Sequence, residues 1–173
     1  MSVDVTAEGW RVDLPGEALE QAIVVAAARA ALASAGPSEP VEIGVRLTND
    51  SEMQTLNKTY RGRDTATNVL SFALSEGGAS QTHETPPPEE TPALLGDVVV
   101  AYETCAREAA DQSKPLANHL RHMVVHGVLH LLGYDHEIDD EATAMEQLER
   151  DILGKMGVPD PYAHATVLQE THD

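Results

Sequence analysis

The chain has a single cysteine, few aromatic residues and few basic residues among its 173 residues. Cys105, being alone, excludes an internal disulfide and a zinc site built from several cysteines, so we expect a small buried side chain on a helix. One tryptophan, four tyrosines and one phenylalanine are too few for the wide base-stacking platform of many single-strand binders. Lys and Arg number 11 against 29 acidic residues, which gives a formal net charge of −18.

The sequence also lacks a long hydrophobic run. Its longest apolar stretch, residues 22–33, is interrupted by Arg29 and is too short to span a bilayer. The first residues have neither the basic region nor the apolar region of a secretion signal. These features predict a soluble, cytoplasmic protein with no membrane partner.

The length and the hydrophobic share of 42% are typical of one domain with a real core. We therefore predict a single domain over residues 1–173. Residues 75–92 are rich in Gly, Pro, Ser, Thr and Glu, a composition that predicts a flexible loop within that domain.

Three histidines have the spacing of a metal site. His126 and His130 are four residues apart, which on a helix places both imidazoles on one face, about 6 Å apart along the axis. Gly133 permits a left-handed turn out of that helix, so His136 can return as a third ligand. Three protein ligands with a fourth position open are typical of a catalytic zinc. The spacing therefore predicts one zinc ion per chain.

The same spacing matches the extended zinc-protease motif His-Glu-x-x-His-x-x-Gly-x-x-His. Gly127, however, stands where those proteases carry the glutamate that acts as general base. A ligand set without this base indicates metal-assisted hydrolysis of something other than a peptide.

The other histidines need a separate interpretation. His122 lies four residues before His126, but a straight helix would place it about 12 Å along the axis from His130, too far to share one ion. We expect His122 to be partly buried or to support a ligand. The remaining four are expected to be solvated surface residues: His83, His119, His164 and His172.

The fold class predicted from local patterns is α+β, a small mixed β-sheet covered by helices, with a zincin-like metal helix. Strands are predicted near residues 3–6, 42–48, 69–74 and 97–101. Helices are predicted near residues 17–34, 49–60, 103–112, 118–132 and 139–156. Asn49 is expected to cap the second helix, with Glu52 reaching back to it.

Several ordered blocks of this sequence resemble the bacterial YbeY family of metal-dependent endoribonucleases. The clearest is Met123-Val124-Val125-His126-Gly127-Val128-Leu129-His130-Leu131-Leu132-Gly133-Tyr134-Asp135-His136. The likeness spans roughly residues 40–162, and its ordered motifs make chance agreement unexpected. The supporting blocks are residues 56–64, 67–72, 95–100 and 146–162.

The resemblance implies a single-strand-specific endoribonuclease that uses one zinc ion in 3′-end maturation of small-subunit (16S) rRNA and in ribosome quality control. It implies ribosomal RNA and ribosomal or assembly-factor proteins as partners, and not DNA. Arg61 matches the active-site arginine of the family. A guanidinium offers two parallel donors to phosphate oxygens. Lys58 and Arg63 are interpreted as contacts along the RNA backbone.

The charge distribution limits this interpretation, because nucleic-acid affinity normally comes from cationic contacts with phosphates. Residues 137–173 hold ten acids against two bases, and residues 1–41 hold six against two. Residues 42–74 are balanced, with four of each. The acidic segments are expected to form a solvated outer surface. We therefore expect weak general RNA binding, with the substrate brought by a larger assembly.

Two alternatives remain open at the level of sequence. A zinc metalloendopeptidase would explain the histidine spacing, although Gly127 removes its base. A non-catalytic ribosome assembly factor with a structural zinc would explain the acidity and the low aromatic content. Asp97 could support a metal-binding histidine or close a turn, and no role is assigned to Asp135.

Overall fold

The computed structural model describes residues 1–14, 19–35, 41–73, 93–134 and 139–162. Four strands form one mixed sheet in the spatial order β1-β2-β4-β3. Strand β2 pairs in parallel with both β1 and β4, and the edge strand β3 pairs antiparallel with β4. The predicted small mixed sheet is confirmed, although β4 begins four residues earlier than predicted. The strands are β1 (Ser2–Val5), β2 (Val41–Thr48), β3 (Val69–Ala73) and β4 (Ala93–Ala101).

Six α-helices surround the sheet in the part of the chain that the structure describes. They are α1 (Glu8–Asp13), α2 (Ala26–Ala35), α3 (Asp50–Arg61), α4 (Tyr102–Asp111), α5 (Leu116–Leu131) and α6 (Asp139–Lys155).

The predicted helix over residues 17–34 is observed as a π-helical segment, Leu19–Val25, that continues into α2. The short helix α1 was not predicted. The predicted loop at residues 75–92 lies outside the described residues. None of the described helices is both long enough and apolar enough to cross a membrane.

Helix α3 begins and ends where the sequence predicts. The Asn49 side chain accepts a hydrogen bond from the Glu52 backbone N–H at 2.8 Å, and Gly62 ends the helix with a φ of 72°. The second half of the capping box is different. The Glu52 carboxylate accepts from the Thr48 hydroxyl at 2.7 Å instead of reaching back to the Asn49 backbone. These caps place Lys58, Arg61 and Arg63 at the C-terminal end of α3.

The sheet separates two apolar layers. In the larger layer α5 packs on one face of the sheet and α2 and α6 pack against α5, with Val45 and Val98 among the buried residues. The smaller layer joins Met53 of α3 to Val99 on the opposite face. Because side chains alternate along a strand, Asp97 shares the face of Val99 and not that of Val98. Asp97 therefore points away from α5 and does not support its histidines.

Candidate metal centre and active site

The two helical histidines of the predicted metal site converge on one side of α5. The ring centroids of His126 and His130 are 4.7 Å apart, with the ring planes at 75°, and both residues are partly exposed. Just after the helix Gly133 has a φ of 102°, the left-handed region that the predicted turn requires. His136 lies outside the described residues, as does Asp135, so the third ligand stays a prediction.

A buried carboxylate lies behind this pair. Glu149 of α6 is fully buried, and its Oε1 is 3.2 Å from His126 Nδ1 and 2.7 Å from His122 Nε2. Burial alone would raise the pKa of Glu149, but the hydrogen bonds from the two histidines outweigh it and lower this pKa to about 2. The carboxylate is therefore ionised at neutral pH and can only accept hydrogen bonds.

Because the Glu149 carboxylate only accepts hydrogen bonds, it determines which nitrogen of the His126 ring carries the proton. Since Glu149 only accepts, His126 Nδ1 must carry a proton, and Nε2 is the ring nitrogen that would bind a metal ion. Metal-ligating histidines in other proteins typically donate their second N–H to a carboxylate in this way, which fixes the ring orientation. Imidazole ligands suit zinc and several other transition metals. The residues present therefore fit a metal ion bound on the outer side of His126 and His130.

Two further groups complete the surroundings of Glu149. His122 is 8% exposed, and burial lowers its pKa, so it stays neutral and donates from Nε2. The Tyr162 hydroxyl donates to both Glu149 oxygens at 3.0 Å. Burial and the Glu149 charge raise the pKa of Tyr162, so the phenol keeps its proton. We expected His122 to be partly buried or to support a ligand; it is buried, and it contacts Glu149, which in turn contacts His126.

The donor atoms of His122, His126 and Glu149 lie within 4.8 Å of one another, so this group is itself a candidate ligand set. An ion there would have to replace the 2.7 Å hydrogen bond between His122 and Glu149. It would also leave these buried groups without their present partners. The hydrogen bonds of Glu149 therefore fit a group that supports His126 better than they fit a metal ligand.

A second group of donor atoms, from Cys105, Glu108 and His119, also lies within 4.8 Å. The prediction that His119 is solvated is wrong: it is 3% exposed because the first turns of α5 pack against α4. Its Nε2 is 2.9 Å from Glu108 Oε1, and Glu108 also accepts from the Asn68 amide at 3.1 Å.

Cys105 is fully buried, as predicted. Burial raises the pKa of its thiol, whereas metal binding needs the thiolate. This second group is therefore explained as a hydrogen-bonded clamp between α4, α5 and the residue preceding β3.

Arg61 contacts β3, the same edge strand that α5 contacts. Its Nη2 donates to the Ser71 backbone carbonyl at 2.6 Å, and its guanidinium lies 5.2 Å from the centroid of the Phe72 ring. On the other face of β3, the Ser71 hydroxyl donates to the carbonyl of Gly127 at 2.8 Å. Strand β3 therefore links Arg61 to the residue that follows His126.

The two weaker basic candidates are solvent-exposed nearby. Lys58 lies in the last turn of α3, 3.9 Å from Asp64, and Arg63 follows the Gly62 cap. The structure brings Lys58, Arg61 and Arg63 to one end of α3. Their contacts with RNA stay predictions.

Gly127 is required for close packing of α5 on the sheet. A Cβ atom at this position would lie 2.5 Å from Val98 Cγ1 and 3.2 Å from Ser71 Oγ. Position 127 therefore faces the sheet and not the candidate metal. This packing gives a structural reason for the departure from the zinc-protease motif, since no glutamate side chain fits there.

We expect Gly127→Ala to lower the free energy of unfolding by about 1 kcal/mol or more. Overpacking typically lowers the free energy of unfolding by about 1–3 kcal/mol. The higher helix propensity of alanine raises it by less than about 1 kcal/mol. Gly154→Ala in α6 is the matched control, because nothing lies within 4 Å of a Cβ there. It should leave stability unchanged or raise it. Denaturant unfolding of both variants tests this, and an unaltered stability of Gly127→Ala would contradict the packing argument.

Sequence reasoning missed Glu149 and Tyr162. Glu149 falls on the apolar stripe of α6 between the buried residues Met145 and Ile152. A carboxylate on such a stripe signals a buried partner, because charged groups are rarely buried unless paired. For Tyr162, which follows the end of α6, no local signal exists.

An α+β fold with a carboxylate-supported histidine pair is typical of a metal-binding protein. The family model described as endoribonuclease YbeY matches residues 4–157, so the chain belongs to the YbeY family. The endoribonuclease YbeY of Nitrobacter hamburgensis is 48% identical over 160 residues, covering 92% of this chain and 80% of that protein. That of Rhodopseudomonas palustris strain BisB18 is also 48% identical, over 92% of this chain and 89% of that protein. That of Rhodospirillum rubrum is 49% identical over 95% of this chain and 82% of that protein.

Proposed function

We propose that this chain is a zinc-dependent endoribonuclease that cleaves single-stranded RNA. Its proposed role is 3′-end maturation of small-subunit (16S) rRNA and ribosome quality control, in the cytoplasm. The observation that carries the proposal is that Arg61 and Gly127, the residue that follows the carboxylate-supported His126, both contact Ser71 of the edge strand β3. The relatives named endoribonuclease YbeY support the same activity.

Each residue of the site has a defined task in this reaction. His126 and His130 would hold the ion together with His136, and Glu149 would keep His126 in the tautomer that binds through Nε2. When bound, zinc supplies a water whose pKa is lowered toward about 7, or polarises a phosphoryl oxygen. Arg61 stabilises the negative charge that builds on the phosphate in the transition state. Its guanidinium is positioned for this by Ser71 and Phe72.

Lys58 and Arg63 are proposed to contact neighbouring phosphates, because both are exposed beside Arg61. This basic patch is small in a protein of net charge −18, and the surrounding charge repels free RNA. We therefore propose that ribosomal or assembly-factor proteins deliver the rRNA substrate.

The test is a cleavage assay on a small-subunit rRNA precursor that contains the 3′ end, with and without a chelator. We expect cuts in single-stranded segments that are lost on chelation and restored by zinc. A 2′,3′-cyclic phosphate end identifies attack by the RNA's own 2′-hydroxyl, and its absence identifies attack by water. A metal-loaded protein that cuts no RNA would contradict the proposal, and chelator-sensitive casein cleavage would favour the peptidase alternative.

We expect one zinc per chain by elemental analysis, and a markedly lower zinc content in His130→Ala. Because the ion links a helix to the following segment, its removal should also lower the melting temperature. His119→Ala is the matched control on the same helix and should keep its zinc, since His119 contacts Glu108 and not the metal pair. Wild-type protein with well under about half an equivalent of zinc, or His130→Ala with tight zinc binding, would contradict the assignment.

A further inference from the structure

Tyr60 is an exposed aromatic residue beside the candidate catalytic arginine. It is 63% exposed, and among the described residues only Val12 is another large apolar side chain with comparable exposure. The Tyr60 ring is in contact with the Phe72 ring on one side, at a centroid distance of 5.4 Å and an interplanar angle of 67°. Most of the ring surface therefore faces solvent while the ring is held in place.

The residue that supports Tyr60 packs against the core. Phe72 is partly buried and contacts the smaller apolar cluster around Met53 and Val99. The guanidinium of Arg61 lies over the same Phe72 ring, 5.2 Å from the ring centroid. Tyr60 and Arg61 are consecutive residues whose side chains converge on one aromatic ring. An aromatic surface and a cation are thereby presented side by side at the end of α3.

A purely structural role explains only part of this arrangement. Covering Phe72 requires an apolar contact, which leucine would supply as well. It does not account for a ring that leaves most of its surface in water between the basic residues Lys58 and Arg61. Proteins that recognise single-stranded RNA combine such exposed aromatic rings, which stack on bases, with cations that contact the phosphates.

We infer that Tyr60 forms a nucleobase-stacking subsite for the nucleotide adjacent to the phosphate that Arg61 contacts. This inference rests on the proposed endoribonuclease function and specifies how its substrate is held. Stacking uses the face of a base and is tolerant of sequence. The subsite therefore takes any base but requires an unpaired one, which would contribute to selectivity for single strands. One such subsite is compatible with a chain that has few aromatic residues.

The experiment uses the zinc-loaded full chain and a short single-stranded RNA with one cleavage site. A substrate series in which each base in turn is removed locates the subsite. For the wild type we expect one position near the cut where loss of the base raises KM roughly fivefold to a hundredfold. The value of kcat should change little, because a contact made equally in the ground and transition states affects KM alone.

Three variants separate stacking from packing. Tyr60→Leu keeps an apolar contact with Phe72 but should raise KM for the intact RNA by a similar factor and lose the sensitivity to the missing base. Tyr60→Phe keeps the ring and should behave as wild type. Val12→Ala, at the other exposed apolar residue, should change neither KM nor the base dependence. Unfolding measurements on each variant confirm that the fold is retained.

The outcomes distinguish this inference from the proposed function. If the wild type cuts RNA and Tyr60→Leu shows the same KM and the same sensitivity to base removal, the stacking subsite is overturned and the nuclease stands. A raised KM in Tyr60→Leu with unchanged base sensitivity also overturns it, since that result reports packing. If the wild type cuts no RNA at all, the proposed function falls and this inference falls with it.

Discussion

Replacement of Arg61 by alanine is expected to slow RNA cleavage roughly a hundredfold or more, comparable to the loss of one oxyanion-stabilising donor. The reason is that, in the proposed reaction, its guanidinium would stabilise the negative charge that grows on the phosphate in the transition state. The fold should survive, because Arg61 is exposed and its hydrogen bond to the Ser71 carbonyl is worth only about 0.5–1.5 kcal/mol. Zinc content should be unchanged. Single-turnover cleavage, denaturant unfolding and metal analysis of the same preparation measure all three quantities.

Two companion variants make this result specific to Arg61. Arg61→Lys should recover only part of the rate, because an ammonium group does not reproduce the two parallel donors of a guanidinium. Arg63→Ala removes an exposed arginine two residues away and should affect KM more than kcat. The catalytic assignment fails if Arg61→Ala cuts RNA at the wild-type rate. It fails equally if activity disappears only because the variant unfolds or loses its metal.

The sequence predicts those parts of the fold that carry strong local signals. The alternating pattern of β2 and the caps of α3, Asn49 and Gly62, are confirmed almost to the residue. Helix α1 is missed because six residues are too few for a helical period to emerge. Its stability comes from tertiary packing: the buried Trp10 donates to the Thr48 carbonyl at 3.0 Å, a contact that no local pattern contains.

The candidate site divides in the same way. The spacing of His126 and His130 along one helix is local, so the sequence predicts that both lie on one face. The partner of His126 is Glu149, which is 23 positions away in sequence and is brought there only by the packing of α6 on α5. His119 was wrongly predicted as solvated for the same reason, since its burial depends on the neighbouring helix α4.

The glycine between the two histidines shows how structure changes an argument from sequence. Gly127 was interpreted as the absence of a general base. The structure shows that it also has a positive role, because its carbonyl accepts from Ser71 and its missing side chain lets α5 approach Val98. This contact holds α5 against the same edge strand, β3, that Arg61 contacts.

Replacement of Glu149 by glutamine is expected to weaken metal binding about tenfold to a hundredfold, the usual cost of losing a hydrogen-bonded carboxylate behind a histidine ligand. Glutamine has nearly the same shape, but its amide is neutral and one of its ends donates, so it cannot accept from His122, His126 and Tyr162 as the carboxylate does. The metal-free protein should also lose about 1–3 kcal/mol of stability, since hydrogen bonds to a charged group are stronger than neutral ones. Competition with a chromogenic chelator measures the metal affinity.

The matched control for Glu149→Gln is Glu108→Gln, because α5 carries a second buried histidine, His119, that is hydrogen-bonded to Glu108 in the same manner. This variant should lower stability but leave metal affinity unchanged, since His119 lies away from the metal pair. The metal affinity of Tyr162→Phe should lie between those of the wild type and Glu149→Gln, because this variant removes one hydrogen-bond donor and keeps the carboxylate. The orientation role of Glu149 is contradicted if Glu149→Gln binds zinc as tightly as the wild type. It is also contradicted if Glu108→Gln weakens zinc binding to the same extent, since the effect would then come from general destabilisation of α5.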